Sequence, residues 1–149
     1  MRLVKTLLFF ALLIAISACQ TRNQSDLQQA VDKVTPSADQ GVLIGQVIST
    51  KTNQPLTNTI VRLAEILWND KENLDGTYIL NGATSPGAET DESGIFIFPD
   101  LKPADYVVVV GDLIGYNVII SNPDGKARVF TIDPNKTTQI EPLRVDLPK

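Results

Sequence analysis

The 149-residue sequence contains no histidine, one cysteine and one tryptophan, and aromatic residues make up only 6% of it. The lack of histidine removes the commonest general base and a common metal ligand. A single cysteine excludes an internal disulfide and a cysteine-rich zinc site. The sequence also has no glycine-rich phosphate loop and no recognisable nucleophile motif. We therefore expect a non-catalytic protein without a cofactor.

Acidic residues outnumber basic residues by 17 to 13, which gives a formal net charge of −4 at pH 7. A surface of this sign repels the phosphates of nucleic acid, so nucleic acid is not an expected partner. Anionic lipid head groups are disfavoured for the same reason. Stable attachment to a membrane would therefore need something other than charge.

The start of the chain has the three-part organisation of an export signal. Arg2 and Lys5 precede ten apolar residues, 7–16, and a pair of small residues leads into Cys19. The apolar run is shorter than the roughly 20 residues that a membrane-spanning helix needs. A plain signal peptide, an uncleaved anchor and a buried core helix are the alternative interpretations.

The ending Ile16-Ser17-Ala18-Cys19 resembles the lipobox of bacterial lipoproteins. The resemblance implies that Cys19 receives a diacylglyceryl group and becomes the first residue when the signal peptide, residues 1–18, is cleaved. Loss of the two leader cations leaves 11 basic and 17 acidic residues, so the net charge becomes −6.

The lipid would hold such an acidic chain at the membrane. Each buried methylene contributes about 0.8 kcal/mol, and one acyl chain anchors only marginally, whereas a lipoprotein cysteine carries at least two chains. Gln20 follows the cysteine where an aspartate could stand. By the same resemblance, this favours the outer membrane or cell surface over the inner membrane.

Residues 19–40 are mainly polar and predict a flexible tether between the lipid and the folded domain. Leu27, Val31 and Val34 share one face of a helix. A segment of about ten residues is too short to form a stable isolated helix. We therefore expect a fraying turn or two within the tether.

From residue 41 the chain alternates short β-branched runs with polar turns, which predicts an antiparallel all-β sandwich. Apolar and charged residues alternate near the end of the chain, with Leu143, Val145 and Leu147 separated by Arg144 and Asp146. This pattern indicates one buried face and one solvent-exposed face. The predicted strands are residues 42–48, 59–67, 95–98, 106–110, 118–120, 128–132 and 139–147.

The domain resembles the carboxypeptidase regulatory-like family. The opening segments 44–47, 52–56 and 61–63 follow the family pattern, as does the run Thr90-Asp91-Glu92-Ser93-Gly94-Ile95-Phe96-Ile97-Phe98. The corner Leu101-Lys102-Pro103-Ala104-Asp105-Tyr106 then leads towards Gly115-Tyr116. For the domain 41–149 the resemblance implies a transthyretin-like (prealbumin-like) Greek-key sandwich of about seven strands. Such modules serve many roles, so the resemblance does not imply an activity.

About twenty residues, 68–89, are inserted where the family has a short connection. We expect a long loop that carries a small extra hairpin. Trp68 and Tyr78 lie in this insertion and are candidate ligand-binding residues, because exposed aromatic rings stack on sugars or anchor protein partners. The alternative is that Trp68 only pins the loop to the sandwich.

The acidic loop residues Asp70, Asp75 and Asp91 are weak candidates for calcium ligands, since calcium prefers oxygen donors. Their spacing matches no EF-hand-type loop, and solvated acids are the ordinary content of turns. Asp91 can instead close an Asx turn ahead of Gly94. We therefore predict no metal site.

These features predict a non-catalytic lipoprotein of the cell envelope, attached to a membrane through Cys19. Its β-sandwich would act as a structural or protein-interaction module with an envelope protein as partner. The alternative is a carbohydrate-binding module that binds a glycan through Trp68 and Tyr78.

Overall fold

The computed structural model describes residues 25–72 and 75–148, so the predicted leader and Cys19 lie outside the described residues. These ranges contain one helix, α1 (residues 25–33), and two β-sheets. No helix in them is long and apolar enough to cross a membrane. The described strands are β1 (Gly41–Ser49), β2 (Ile60–Asp70), β3 (Asp75–Ile79), β4 (Gly87–Glu89), β5 (Ile95–Leu101), β6 (Asp105–Gly111), β7 (Asn117–Ile119), β8 (Val129–Thr131), β9 (Thr137–Gln139) and β10 (Leu143–Val145).

The described strands fill seven positions, because three pairs of short strands lie end to end along a long neighbour. In the first sheet β1 lies between β5 and the pair β9 and β10. In the second sheet the order is the pair β3 and β4, then β2, then β6, then the pair β7 and β8. This arrangement confirms the predicted all-β sandwich of about seven strands.

The prediction of an entirely antiparallel sandwich is wrong at one edge of the first sheet. β1 is antiparallel to β5 but parallel to both β9 and β10. Two neighbouring parallel strands cannot be joined by a hairpin. Here the parallel pairing joins β1, the first strand of the domain, to β9 and β10, the last two. At the same edge Leu143 and Val145 are buried while Arg144 and Asp146 are exposed, as their alternation predicts.

The main core lies between the two sheets and is filled by their inward-facing apolar side chains. Tyr106 is among them, and its hydroxyl donates a hydrogen bond to the carbonyl of Lys102 at 2.9 Å, which forms the predicted corner. Burial raises the pKa of Tyr106, and the negative charge of Glu65 raises it further, so the hydroxyl remains a donor. The largest buried members include Leu43, Leu63, Phe96, Phe98, Val108, Phe130 and Ile132.

The turn before β5 also forms as predicted. The Asp91 carboxylate accepts hydrogen bonds from the backbone N–H groups of Ser93 at 2.8 Å and Ile95 at 2.9 Å. Gly94 within this turn has a φ of 72°, which a side chain would strain. Asp91 therefore has the local structural role that the sequence indicated.

The segment predicted to be a flexible tether is in part packed against the sandwich. α1 lies on the outer face of the first sheet and buries Leu27 against Val42, Ile44 and Ile95. The reason is that β1 is buried on both faces and so needs a second covering layer. A second contact between this segment and the sandwich follows α1, where Ser37 Oγ donates a hydrogen bond to the carboxylate of Asp100 at 2.6 Å.

Candidate functional site

The insertion 68–89 forms a hairpin with the second half of β2. β3 pairs antiparallel with β2 from Glu65 opposite Ile79 to Asp70 opposite Asp75, while β4 returns along the start of β2. The predicted extra hairpin is present, but its first strand is a continuation of β2. Because β6 pairs with β2 only as far as Glu65, the hairpin projects beyond the start of β6.

Asp105, the first residue of β6, connects this hairpin to the sandwich. Its Oδ2 accepts a hydrogen bond from Trp68 Nε1 at 2.8 Å and forms an ion pair with Lys71 Nζ at 2.7 Å. Its Oδ1 accepts a hydrogen bond from the hydroxyl of Thr131 at 2.6 Å. The side chain is only 5% exposed, so these donors replace most of the water that the carboxylate would otherwise bind.

The donors around Asp105 also decide its protonation state. Burial alone raises the pKa of the Asp105 carboxyl, because it disfavours the charged form. The hydrogen bonds from Lys71, Thr131 and Trp68, together with the positive charge of Lys71, outweigh burial and hold the pKa below its ordinary value of 3.8. Asp105 is therefore an ionised, buried acceptor at neutral pH.

The indole of Trp68 is fixed by two independent contacts. Its N–H donates to Asp105, and its ring lies over Gly76, the residue directly opposite on β3. A Cβ atom at position 76 would approach Trp68 Cε3 to 2.7 Å, so only glycine leaves room for this ring position. The geometry favours the interpretation that Trp68 pins the inserted segment.

A groove of about 590 Å³ lies beside the hairpin on the outer face of the second sheet, and we call it the outer-face groove. Buried Ile66 and Val107 line its base. Tyr78 lies directly opposite Ile66 and therefore shares a sheet face with Ile66 and Trp68, so the two aromatic rings form one side. Tyr78 is 39% exposed, and Trp68 is half-buried.

The opposite side of the groove belongs to the connection between β7 and β8. The turn 122–125 within this connection is closed by a hydrogen bond from the Gly125 N–H to the Asn122 carbonyl at 2.9 Å. Lys126 and Arg128 follow this turn and line the groove, and the guanidinium of Arg128 lies 5.1 Å from the centre of the Phe130 ring. Asp124 lines the same side, so the groove has an aromatic side opposite a side with two basic residues and one acidic residue, which we call the basic side.

Sequence reasoning named the aromatic residues of the groove but missed the basic ones. Lys126 and Arg128 belong to a different hairpin of the chain, and only the pairing of β2 and β8 with β6 brings them to the face that holds Tyr78. Asp105 was missed too, because its donors are contributed by segments far away in the sequence. No local motif signals either arrangement.

The structure does not bring the three calcium candidates together. Asp70 and Asp75 are partners at the end of the hairpin, whereas Asp91 lies in the turn before β5. The Asp70 carboxylate accepts a hydrogen bond from the backbone N–H of Glu72 at 3.0 Å. Among residues 25–72 and 75–148, no group of three or more acidic or cysteine side chains is placed to hold a metal ion.

No protein-family model matches the chain, and no curated protein matches it. Among solved structures, a candidate carbohydrate-binding protein from Pseudomonas aeruginosa is similar, with 16% identity and a TM-score of 0.43 over 74% of this chain and 92% of that protein. (S)-allantoin synthase is similar at 13% identity and a TM-score of 0.44, over 80% of this chain and 45% of the enzyme.

The group B streptococcus pilus 2b backbone protein is similar at 19% identity and a TM-score of 0.38, over 72% of this chain and 40% of the pilin. The chain thus spans less than half the length of the pilin and of allantoin synthase. Likenesses this distant carry no argument about ligand, reaction or assembly.

Replacing Asp105 with asparagine should lower the free energy of unfolding at pH 7 by about 1.5–3 kcal/mol, because a buried charged acceptor of three hydrogen bonds is lost. Since the pKa of Asp105 is lowered by folding, its contribution is complete above pH 3.8 and is lost as the pH falls below that value. The difference between wild type and Asp105→Asn should therefore shrink under acid conditions. Urea denaturation, followed by far-UV circular dichroism and the fluorescence of Trp68, measures both effects.

Asp133→Asn is the matched control, since Asp133 is 52% exposed and forms a surface ion pair with Lys136. It should cost less than about 1 kcal/mol. Equal stability of the two variants at pH 7 would show that Asp105 has no special role.

Proposed function

We propose that this chain is a non-catalytic lipoprotein of the bacterial cell envelope whose β-sandwich presents the outer-face groove to an envelope protein. The observation that carries the proposal is the fixed aromatic side of the groove. Trp68 is held in position by Asp105 and Gly76, and the exposed ring of Tyr78 lies beside it. Aromatic side chains that are already ordered lose little conformational entropy on binding, which makes them efficient anchors.

The basic side of the groove indicates the chemistry of the partner segment. Lys126 and Arg128 outnumber Asp124 on this side of the groove, in a chain whose formal net charge is −4. A partner with an apolar side chain between Trp68 and Tyr78 and a carboxylate facing Lys126 and Arg128 would match both sides. Opposite charges across an interface favour the correct partner, whereas like charges repel wrong ones.

Attachment to the membrane through lipidated Cys19 is the second part of the proposal. It is supported by the resemblance of residues 16–19 to a lipobox and by the basic and apolar leader ahead of them. Gln20 favours the outer membrane or cell surface as the destination. We also propose that the domain is a carboxypeptidase regulatory-like module, a reading supported by the Asx turn at Asp91 and the corner at Tyr106.

A carbohydrate-binding module is the second candidate function. The specific observation that favours it is the exposed ring of Tyr78, which lies across the groove from the polar side chains of the β7–β8 connection. An aromatic face next to hydrogen-bonding groups suits a sugar ring as well as it suits an aromatic or aliphatic side chain. The two functions can be separated by experiment.

A photo-crosslinking residue at position 78, introduced in living cells, should give a discrete adduct with one envelope protein. The same residue at position 136, on the exposed side of the β8–β9 turn, should not. Combining the probe with Lys126→Glu and Arg128→Glu should reduce the adduct about tenfold or more, because interfacial charge pairs are reversed.

Pull-down on insoluble polysaccharides tests the second function with the same residue. Tyr116→Ala is the control, because it is the same substitution at an exposed tyrosine outside the groove. Binding that is lost in Tyr78→Ala and retained in Tyr116→Ala would support the carbohydrate function and contradict the protein partner. Absence of binding to a broad panel of polysaccharides would contradict the carbohydrate function.

Mass spectrometry of the membrane fraction should find a mature chain that begins at a lipidated Cys19. Cys19→Ser should abolish the modification, because serine has no thiol to accept the diacylglyceryl group. An unmodified thiol at Cys19 in the protein isolated from cells would contradict the proposed anchoring.

A further inference from the structure

The connection between β6 and β7, residues 112–116, exposes large apolar side chains at one end of the sandwich, and we call it the apolar loop. Ile114 is 99% exposed, Tyr116 is 73% exposed and Leu113 is 39% exposed. Single exposed apolar residues are ordinary, but three within four consecutive positions form a patch that indicates a binding surface.

The loop holds these side chains in a defined position. The backbone N–H of Asp112 donates to the carbonyl of Tyr116 at 3.0 Å, and the Asn117 amide donates to the carbonyl of Asp112 at 3.0 Å. Gly111 has a φ of 113°, and a side chain there would collide with the carbonyl of Tyr116. The exposure of Ile114 is thus built into a closed turn.

The apolar loop lies at the end of the sandwich where β2 and β5 begin. Val110 pairs with Val61 at the start of β2, and Ile60 pairs with Glu89 of β4. The next residue, Thr90, exchanges backbone hydrogen bonds with the segment before β2 and leads directly into the turn that begins β5. We call this end the proximal end.

The first described residues of the chain are attached at the same proximal end. Asp26, at the start of α1, accepts a hydrogen bond from the hydroxyl of Ser93 in the turn before β5 at 3.3 Å. From there α1 runs towards the opposite end of the sandwich, which we call the distal end and where Ser37 contacts Asp100. The chain therefore enters the domain at the end that carries the apolar loop.

Cys19 is only six residue steps before Ser25. At about 3.5 Å per residue, even a fully extended segment places Cys19 within about 21 Å of Ser25. An anchor at Cys19 thus keeps the proximal end close to the bilayer surface. The distal end carries Lys71, Lys102 and Lys136, whose side chains are mostly exposed.

We propose that the apolar loop inserts Ile114 and Tyr116 into the interfacial region of the same bilayer that holds Cys19. The inference rests on the proposed membrane anchoring. Tyrosine is enriched at the membrane interface, where its ring contacts acyl chains and its hydroxyl remains hydrated, and isoleucine adds buried apolar area. Asp112 flanks the loop, so the contact is apolar and needs no anionic lipid.

A second membrane contact fixes the orientation of the domain. The outer-face groove lies along the second half of β2, six to eight residues from its proximal start. At about 3.3 Å per residue, the strand holds the groove roughly 20–26 Å further from the bilayer than the apolar loop. The loop would thus present the groove to partners beyond the lipid surface.

Tyr116→Trp tests the contact in the full-length chain, isolated from the membrane fraction and reconstituted in phosphatidylcholine vesicles with or without brominated acyl chains. Native Trp68, far from the proximal end, supplies the unquenched baseline. The added tryptophan should give a blue-shifted component that brominated lipid quenches about twofold, as an indole at the interface would. Lys102→Trp, at the distal end, should add only unquenched emission.

Ile114→Asp combined with Tyr116→Trp should remove the quenching, since it places a charge at the inserted tip. Vesicle flotation and mass spectrometry of Cys19 report on the anchoring separately. Chains that float with a lipidated Cys19 but show no difference between the Tyr116→Trp and Lys102→Trp variants would overturn the loop contact alone. Chains that do not float would overturn both the anchoring and the contact.

Discussion

The buried carboxylate of Asp105 joins the inserted hairpin to the two-sheet core. Removing a carboxylate from water is costly, and here the cost is offset by Trp68, Lys71 and Thr131, which come from β2, the following turn and β8. Each donor holds its own segment against the start of β6. Beyond the last β2–β6 pair at Glu65, this contact and the packing of Ile66 and Trp68 against Val107 hold the projecting part of β2 to the sandwich.

The position of Trp68 follows from this contact, and the shape of the outer-face groove follows from Trp68. The indole lies over Gly76 and leaves the Tyr78 ring exposed beside it, opposite Lys126 and Arg128. Structural and binding roles of Trp68 are thus compatible, because its N–H faces Asp105 while its ring lines the groove. An insertion that is fixed at its base can present a binding surface without the entropy cost of an ordered loop.

Much of the sandwich could be predicted from the sequence because each strand has a local signal. The β-branched runs gave the first six predicted strands to within a few residues, and Asp91 formed the predicted Asx turn. The predicted strand 139–147 was wrong in its extent, because residues 140–142 separate β9 from β10. The parallel edge was not predicted, because alternation reveals which face of a strand is buried and not which strand lies beside it. The packing of α1 was missed although its apolar face was recognised.

The sequence feature that indicates the packing of α1 lies in β1, where Val42, Leu43 and Ile44 are consecutive apolar residues. A strand that is apolar on both faces needs a cover on each, and Leu27 belongs to that cover. The candidate site was harder to predict, since Asp105 and the basic side of the groove depend on pairings between distant segments. Exposure of the apolar loop likewise depends on where β6 ends and on how tightly residues 112–116 close.

The central claim is that Asp105 holds Trp68 in place, and NMR spectroscopy tests it directly because the chain has only one indole N–H. The indole proton signal should exchange slowly with solvent at neutral pH. It should also shift with acidification, with the same midpoint as the Asp105 carboxyl carbon, below pH 3.8. A rapidly exchanging indole proton whose signal does not follow the titration of Asp105 would contradict the account.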